Sequence, residues 1–146
     1  MGAFVADVPL RWSDMDAFGH VNHARTVTLL EEARVELLFT EAGRQGLLGM
    51  AEGMVVARLA VDYRIPVSHS AGTLQVRMSV RDLKPASFVI DYSASTSGSA
   101  EVATAETLMV PYDLKAGRPR RLSTDERDFL AEWQPVLAQA EAGDRA

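Results

Sequence analysis

Apolar residues recur along the chain with two different periods, and the switches between them mark out the elements. Phe4, Ala6, Val8 and Leu10 alternate with Val5, Asp7, Pro9 and Arg11, which predicts a first strand over Phe4–Trp12. Pro9 has no N–H to give to a ladder, so that strand is expected at an edge or with an irregularity. Ser13–His20 is rich in Ser, Asp and Gly and reads as a loop. Asn22 is a good N-cap and Gly43 a good stop, so a helix is expected from Asn22 to Ala42. Val27, Leu30, Arg34, Leu37, Leu38 and Glu41 follow helical spacing, with Ala33 filling in. A stripe this broad predicts a helix buried on nearly all sides.

Beyond Gly43–Gly53, a loop or short helical turn, the period of two returns. Met54–Ile65, Thr73–Leu83, Ser87–Ser95 and Glu101–Tyr112 are rich in Val, Ile, Tyr and Thr and predict four strands. Their connections are Pro66–Gly72, Lys84-Pro85-Ala86 and Thr96-Ser97-Gly98-Ser99; short connections predict antiparallel neighbours. Lys115–Pro119 reads as a turn. A final helix is expected over about residues 123–140. Ser123 and Glu126 have capping-box spacing, and Phe129, Leu130, Trp133, Val136 and Leu137 form its apolar face. Strand, long helix, four strands and short helix make an α+β architecture, with a curved, mostly antiparallel sheet around one long central helix.

Composition narrows the function classes. At 146 residues, 1–146 is expected to be a single domain, and 47% apolar residues suffice for a core. There is no cysteine, which removes disulfides, thiolate metal sites and a cysteine nucleophile. The formal charge of −5 argues against a nucleic-acid partner. The N-terminus lacks the basic start and apolar run of a signal peptide, and no apolar run approaches the roughly 20 residues that span a bilayer. The expectation is a cytoplasmic protein without a membrane partner.

The chemistry-bearing residues concentrate in Arg11–Arg25, between the first strand and the helix start. This stretch holds Asp14, Asp16, His20, Asn22 and His23. A helix N-terminus offers free N–H groups and a partial positive charge, which can stabilise an oxyanion forming on a carbonyl. A carboxylate on the adjoining loop can attack that carbonyl or activate water. Asp16 beside the helix start is therefore a candidate acyl-transfer centre that needs neither Ser nor Cys. His20 can polarise the carbonyl or simply hold the loop. Asn22 reads first as the N-cap and second as a catalytic amide. Val21, His23 and Ala24 flank it as candidate substrate contacts. Asp14 reads as structural, solvated or paired with Arg11.

Asp16-Ala17-Phe18-Gly19-His20-Val21-Asn22-His23-Ala24, followed by Glu31-Glu32-Ala33-Arg34 and Glu36, resembles the hotdog-fold acyl-CoA thioesterases of the 4-hydroxybenzoyl-CoA thioesterase type. Val61–Pro66, Ser87-Phe88 and Tyr112-Asp113…Gly117-Arg118-Pro119 are similar in style to that family's later segments. The resemblance implies a homodimer, often paired into a homotetramer, with active sites at the subunit interface and the acyl chain in a slot between subunits. It implies that Asp16 is the catalytic residue, as base or nucleophile, with N–H groups near Asn22–Ala24 holding the carbonyl oxygen. It implies no metal and no cofactor beyond the coenzyme A of the substrate. The family typically has Tyr where this chain has Thr26, and often Asn where it has His23.

Glu31 and Arg34 share the helix stripe and are expected to support the site as an internal ion pair or through contacts to the loop. Lys115, Arg118, Arg120 and Arg121 form a basic patch, from which Arg118 and Arg120 are candidate contacts for coenzyme A phosphates. The expected reaction is acyl-CoA hydrolysis to free acid and CoA. Two alternatives stay open: a hotdog hydratase or dehydratase using Asp16 and His20, and a non-catalytic acyl-CoA-binding module.

Overall fold

The computed structural model describes residues 2–96 and 100–135. Six strands form one antiparallel sheet: β1 Phe4–Pro9, β2 Met54–Tyr63, β3 Thr73–Lys84, β4 Ser87–Ser95, β5 Glu101–Asp113 and β6 Arg118–Pro119. The order is β1-β3-β4-β5-β2, with β6 pairing the end of β5 where β2 stops. β3, β4 and β5 follow each other as a meander, as their short connections predict. β1 lies at an edge, where Pro9 is tolerated. It runs only to Pro9, because Trp12–Asp14 turns into a 3₁₀ segment.

The β2–β3 connection corrects one expectation. These consecutive strands are not neighbours; residues 64–72 cross from the β2 edge to β3, past β5 and β4. Three inter-strand spacings come to ~14 Å, well within the reach of this segment. The crossover passes the start of the long helix, and this brings it to the candidate site.

The central helix is built in three joined pieces. α1 spans His23–Val35, a π-helical stretch spans Glu36–Glu41, and α2 spans Ala42–Arg44. Thr26, Leu29, Leu30, Ala33, Leu37, Leu38 and Ala42 are buried against the sheet. Ordinary α-helical spacing would turn the stripe away after Leu37. The wider π turn brings Ala42 back onto the core, with its N–H bonded to Leu37 O. The helix is not buried on nearly all sides. Glu31, Glu32, Val35, Glu36 and Phe39 are exposed, because the sheet of one chain covers only one side of it. This curved antiparallel sheet wrapped on one long helix is the hotdog fold.

Alternation along β4 sends Phe88, Ile90, Tyr92 and Ala94 inward, and β3 contributes Leu74, Val76, Met78 and Val80. The opposite face of the sheet carries a chain of ion pairs, Arg58–Glu106–Arg81–Asp91. α3, Thr124–Ala131, closes one end of the core with Phe129 and Leu130. The expected capping box is present: Ser123 Oγ accepts from Glu126 N at 3.1 Å, and Glu126 carboxylate accepts from Ser123 N at 2.8 Å. α3 ends at Ala131, short of the expected end near residue 140, and Trp133 lies past it; residues 97–99 of the predicted turn, and the expected helix from Val136 on, lie outside the described residues.

Leu30 sits under the centre of α1 and is 2% exposed. Leu30→Ala is expected to lower unfolding free energy by about 2–5 kcal/mol, read from urea denaturation.

Candidate active site

Backbone pairing shapes the loop between β1 and α1. Met15 bridges Val21, Asp16 N donates to His20 O at 2.7 Å, and Gly19 N donates to Asp16 O at 3.1 Å. The turn is closed by Gly19, whose φ of +79° is a left-handed conformation that costs glycine little. The crossover is stitched to the same loop: Val21 N donates to Val67 O at 2.7 Å, and His20 bridges Ser68.

Asp16 finishes this turn with its side chain. Oδ1 accepts from Phe18 N at 2.9 Å and His20 N at 3.2 Å. Oδ2 has no partner among the described residues, and Asp16 is half-buried. One carboxylate oxygen is held by the loop and the other is left available.

Asp14 does different work. It is 1% exposed and accepts from Arg11 N at 2.9 Å and from the Arg11 guanidinium at 3.2 and 3.4 Å. Arg11 also reaches Glu32 on α1 at 3.5 Å, and Asp14 O accepts from Asn22 N at 2.9 Å. Burial by itself raises the Asp14 carboxyl. The hydrogen bonds from Arg11 and the charges of Arg11 and Arg25 outweigh it and hold the group below the usual carboxylate range. Asp14 thus ties β1, the loop and the helix start together.

Asn22 is the N-cap: its Oδ1 accepts from Ala24 N at 2.9 Å. Asn22 N is bound to Asp14 O, so two of the three N–H groups expected to meet a carbonyl oxygen are already engaged. The N–H of His23 has no partner among the described residues. From β2, the Tyr63 hydroxyl donates to His23 O at 2.6 Å and fixes the first helical turn. Burial pushes the Tyr63 phenol up.

Beside this helix start opens an apolar cleft of ≈ 300 Å³. Val21, Thr26 and Leu29 line it from the helix side, and Leu74, Ala94 and Ala103 from the sheet.

The structure therefore brings Asp16, His20, Val21, Asn22, His23 and Ala24 together on one turn and one helix start. His20 and His23 are exposed there. Among the described residues, no three His, Asp or Glu side chains gather as a metal-binding group. Arg34 is one helical turn from Glu31, at 3.7 Å, but Glu31 is exposed and the pair is not internal. The inward contact of Arg34 is the Tyr92 hydroxyl at 3.2 Å, and Tyr92 in turn meets Thr107 at 2.7 Å. Arg34 supports the core under the helix rather than the loop.

Arg118 and Arg120 are not part of this constellation within one chain. They lie by Asp113, at the opposite end of β5 from Ala103, ~33 Å away at the strand rise. Arg118 is exposed. Arg120 is a structural clamp, binding both carboxylate oxygens of buried Glu126 at 2.9 and 3.0 Å and Gly49 O at 3.0 Å.

Sequence reasoning assigned no role to Tyr63, Thr26 or the crossover. Tyr63 stands at the end of a predicted strand, and only strand pairing with β5 carries it to the helix. Thr26 was visible as a departure from a pattern; its place in a cleft was not.

The profile of the thioesterase-like superfamily matches residues 10–140, and the chain belongs to that superfamily. It is 28% identical over 128 residues to the acyl-CoA thioester hydrolase YbgC of Escherichia coli, covering 87% of this chain and 92% of YbgC. A thioesterase of Thermus thermophilus, solved in complex with coenzyme A and Zn, superposes with a TM-score of 0.71 at 25% identity, over 89% of this chain and 92% of that one. The 1,4-dihydroxy-2-naphthoyl-CoA thioesterase of Synechocystis shares the fold, with a TM-score of 0.74 at 19% identity over 90% and 97% of the two chains.

Asp14→Asn keeps the shape and removes the charge that Arg11 faces. It is expected to cost about 1–3 kcal/mol at neutral pH. A carboxyl lowered by folding contributes stability that is full above its unfolded pKa, about 3.9 for Asp, and lost as pH falls through the folded value. The gap between wild type and Asp14→Asn should thus be widest near pH 7 and narrow below about pH 4, measured by denaturant unfolding across that range.

Proposed function

We infer that the chain hydrolyses acyl-CoA thioesters to free acid and CoA, in the manner of the 4-hydroxybenzoyl-CoA thioesterase type, with Asp16 as the catalytic carboxylate. The observation that carries this reading is the Asp16 turn itself. A carboxylate with Oδ1 held by two N–H groups and Oδ2 unengaged sits immediately before a helix N-terminus, beside an apolar cleft. The thioester carbonyl would rest against the His23 N–H and the positive end of the α1 dipole. Asp16 Oδ2 then takes a proton from water as it attacks the carbonyl, or attacks the carbonyl itself to give a mixed anhydride that water opens. Either route expels the CoA thiolate. His20, on the same turn, is placed to orient that water or the carbonyl oxygen.

The working unit is a homodimer. β2 is an edge strand with Val55, Val56 and Leu59 all exposed, so this apolar stretch and its free edge lack a cover in one chain. An uncovered apolar edge strand invites pairing, and a second copy can meet it by the same surface. A partner would also bring its own distal residues toward this cleft. That is how the exposed Arg118 could serve a coenzyme A phosphate.

Asp16→Asn should reduce thiol release from acyl-CoA by about 10²–10⁴-fold while leaving the far-UV circular dichroism unchanged. Undiminished release would remove Asp16 from the mechanism. Sedimentation should give the mass of two chains or a multiple of it, and Leu59→Arg should shift it toward one. A wild-type monomer with full activity would sink the dimer.

A further inference from the structure

The first turn of α1 is tethered from two directions. From the loop side, Asp14 O accepts from Asn22 N and Asn22 Oδ1 accepts from Ala24 N, each at 2.9 Å. From the sheet side, the Tyr63 hydroxyl donates to His23 O at 2.6 Å, toward the short end of the range for O–H···O bonds. The oxygen of His23 and the N–H of Ala24 belong to one peptide group. That group is therefore gripped at both ends, its oxygen by a strand residue and its N–H by the helix cap. Donation to the oxygen also polarises the N–H, so the two bonds strengthen each other. The neighbouring peptide group carries the N–H of His23, which is left open.

The main chain of Tyr63 is itself held fast. It is the last residue of β2, in register with Ala103 of β5. The next two residues, Arg64 and Ile65, both donate their N–H to Val102 O, at 2.8 and 3.1 Å. The residue is 51% exposed, so the position does not serve chiefly to bury a ring. Desolvation raises the phenol and keeps it a donor at neutral pH.

We propose that Tyr63 is a positioning residue for thioester hydrolysis: through His23 O it holds the first turn of α1 so that the His23 N–H stays aimed at the reacting carbonyl oxygen. The proposal rests on the thioesterase reading, which gives that N–H to the carbonyl. An oxyanion donor works by being in place before charge develops, and one that swings loses much of its effect. A helix start held only through its cap can rock about Asn22; a bond from a strand end stops that motion. The N–H meets the oxygen most strongly when the oxygen carries charge. The loss therefore falls on the transition state rather than on acyl-CoA binding.

The test is Tyr63→Phe, which keeps the ring and removes the hydroxyl. Thiol release is measured with acetyl-, octanoyl- and benzoyl-CoA, alongside sedimentation and amide hydrogen exchange by NMR. With the substrate that wild type turns over fastest, kcat should fall about 10–100-fold while KM stays within about threefold. Exchange of the Ala24 and Thr26 N–H groups, which bond to Asn22, should speed up about tenfold, with β3, β4 and the sedimentation as in wild type. Tyr63→Leu removes the ring as well and should match Tyr63→Phe in kcat, because the hydroxyl carries the role. A kcat within about threefold of wild type overturns the proposal. So does a change confined to KM, or a fall in kcat with exchange at the helix start unchanged. No thiol from wild type with any of the three sinks the thioesterase reading and this role with it; an active wild type beside an equally active Tyr63→Phe sinks this role alone.

Discussion

A carboxylate at 1% exposure survives in a folded protein only where donors surround it, and Asp14 imposes that condition on three elements at once. Its side chain needs Arg11 from the end of β1, and Arg11 reaches Glu32 on α1. Its carbonyl takes the N–H of Asn22, the residue that caps α1. The strand end, the loop and the helix start are therefore fixed to one another before Asp16 is considered. Asp16 lies two residues further on and uses its own side chain to close the next turn. The two aspartates divide the labour: one neutralised inside, one left with an unengaged oxygen at the rim.

The same sheet serves as core at one end and as cleft at the other. Phe88, Ile90 and Tyr92 fill the space beneath the lower helix, and the π turn after Val35 keeps Leu37, Leu38 and Ala42 on that packing. Toward the helix N-terminus the side chains shrink and the packing opens. Stability is thus concentrated away from the site, which fits the general tendency of binding regions to be the less densely packed part of a fold.

Much of this was legible in the residues. Period-two runs located β3, β4 and β5 almost to the residue, because both faces of those strands have distinct environments. Asn22 and Ser123 announced their caps through short-range chemistry. The Asp16–Ala24 segment was recognisable because its geometry is local: a turn, a glycine, an N-cap. What failed depended on distant pairing. The β2–β3 connection looks in sequence like any short link, and nothing local says that β5 separates the two strands. The helix stripe suggested burial all round, yet one chain supplies only one side. Arg120 reads as an available cation because it belongs to a local run of basic residues, whereas Glu126, which also closes the capping box with Ser123, meets it only in the folded chain. A carboxylate can do both at once.

The crossover at residues 64–72 has a consequence for the order in which the molecule comes together. The β3–β4–β5 meander closes small loops, so its pairs cost little chain entropy. β2 must find β5 across far longer separations, as Tyr63 does with Ala103 and Met54 with Pro111. Contact-order reasoning makes such pairings the slow ones. The crossover follows β2 directly in the chain, and Val67 and Ser68 can dock on the Asp16 loop only once β2 is seated. The candidate site is therefore a late product of folding, complete only when β2 is seated on β5, and β1, whose partners on β3 lie still further along the chain, is seated as well.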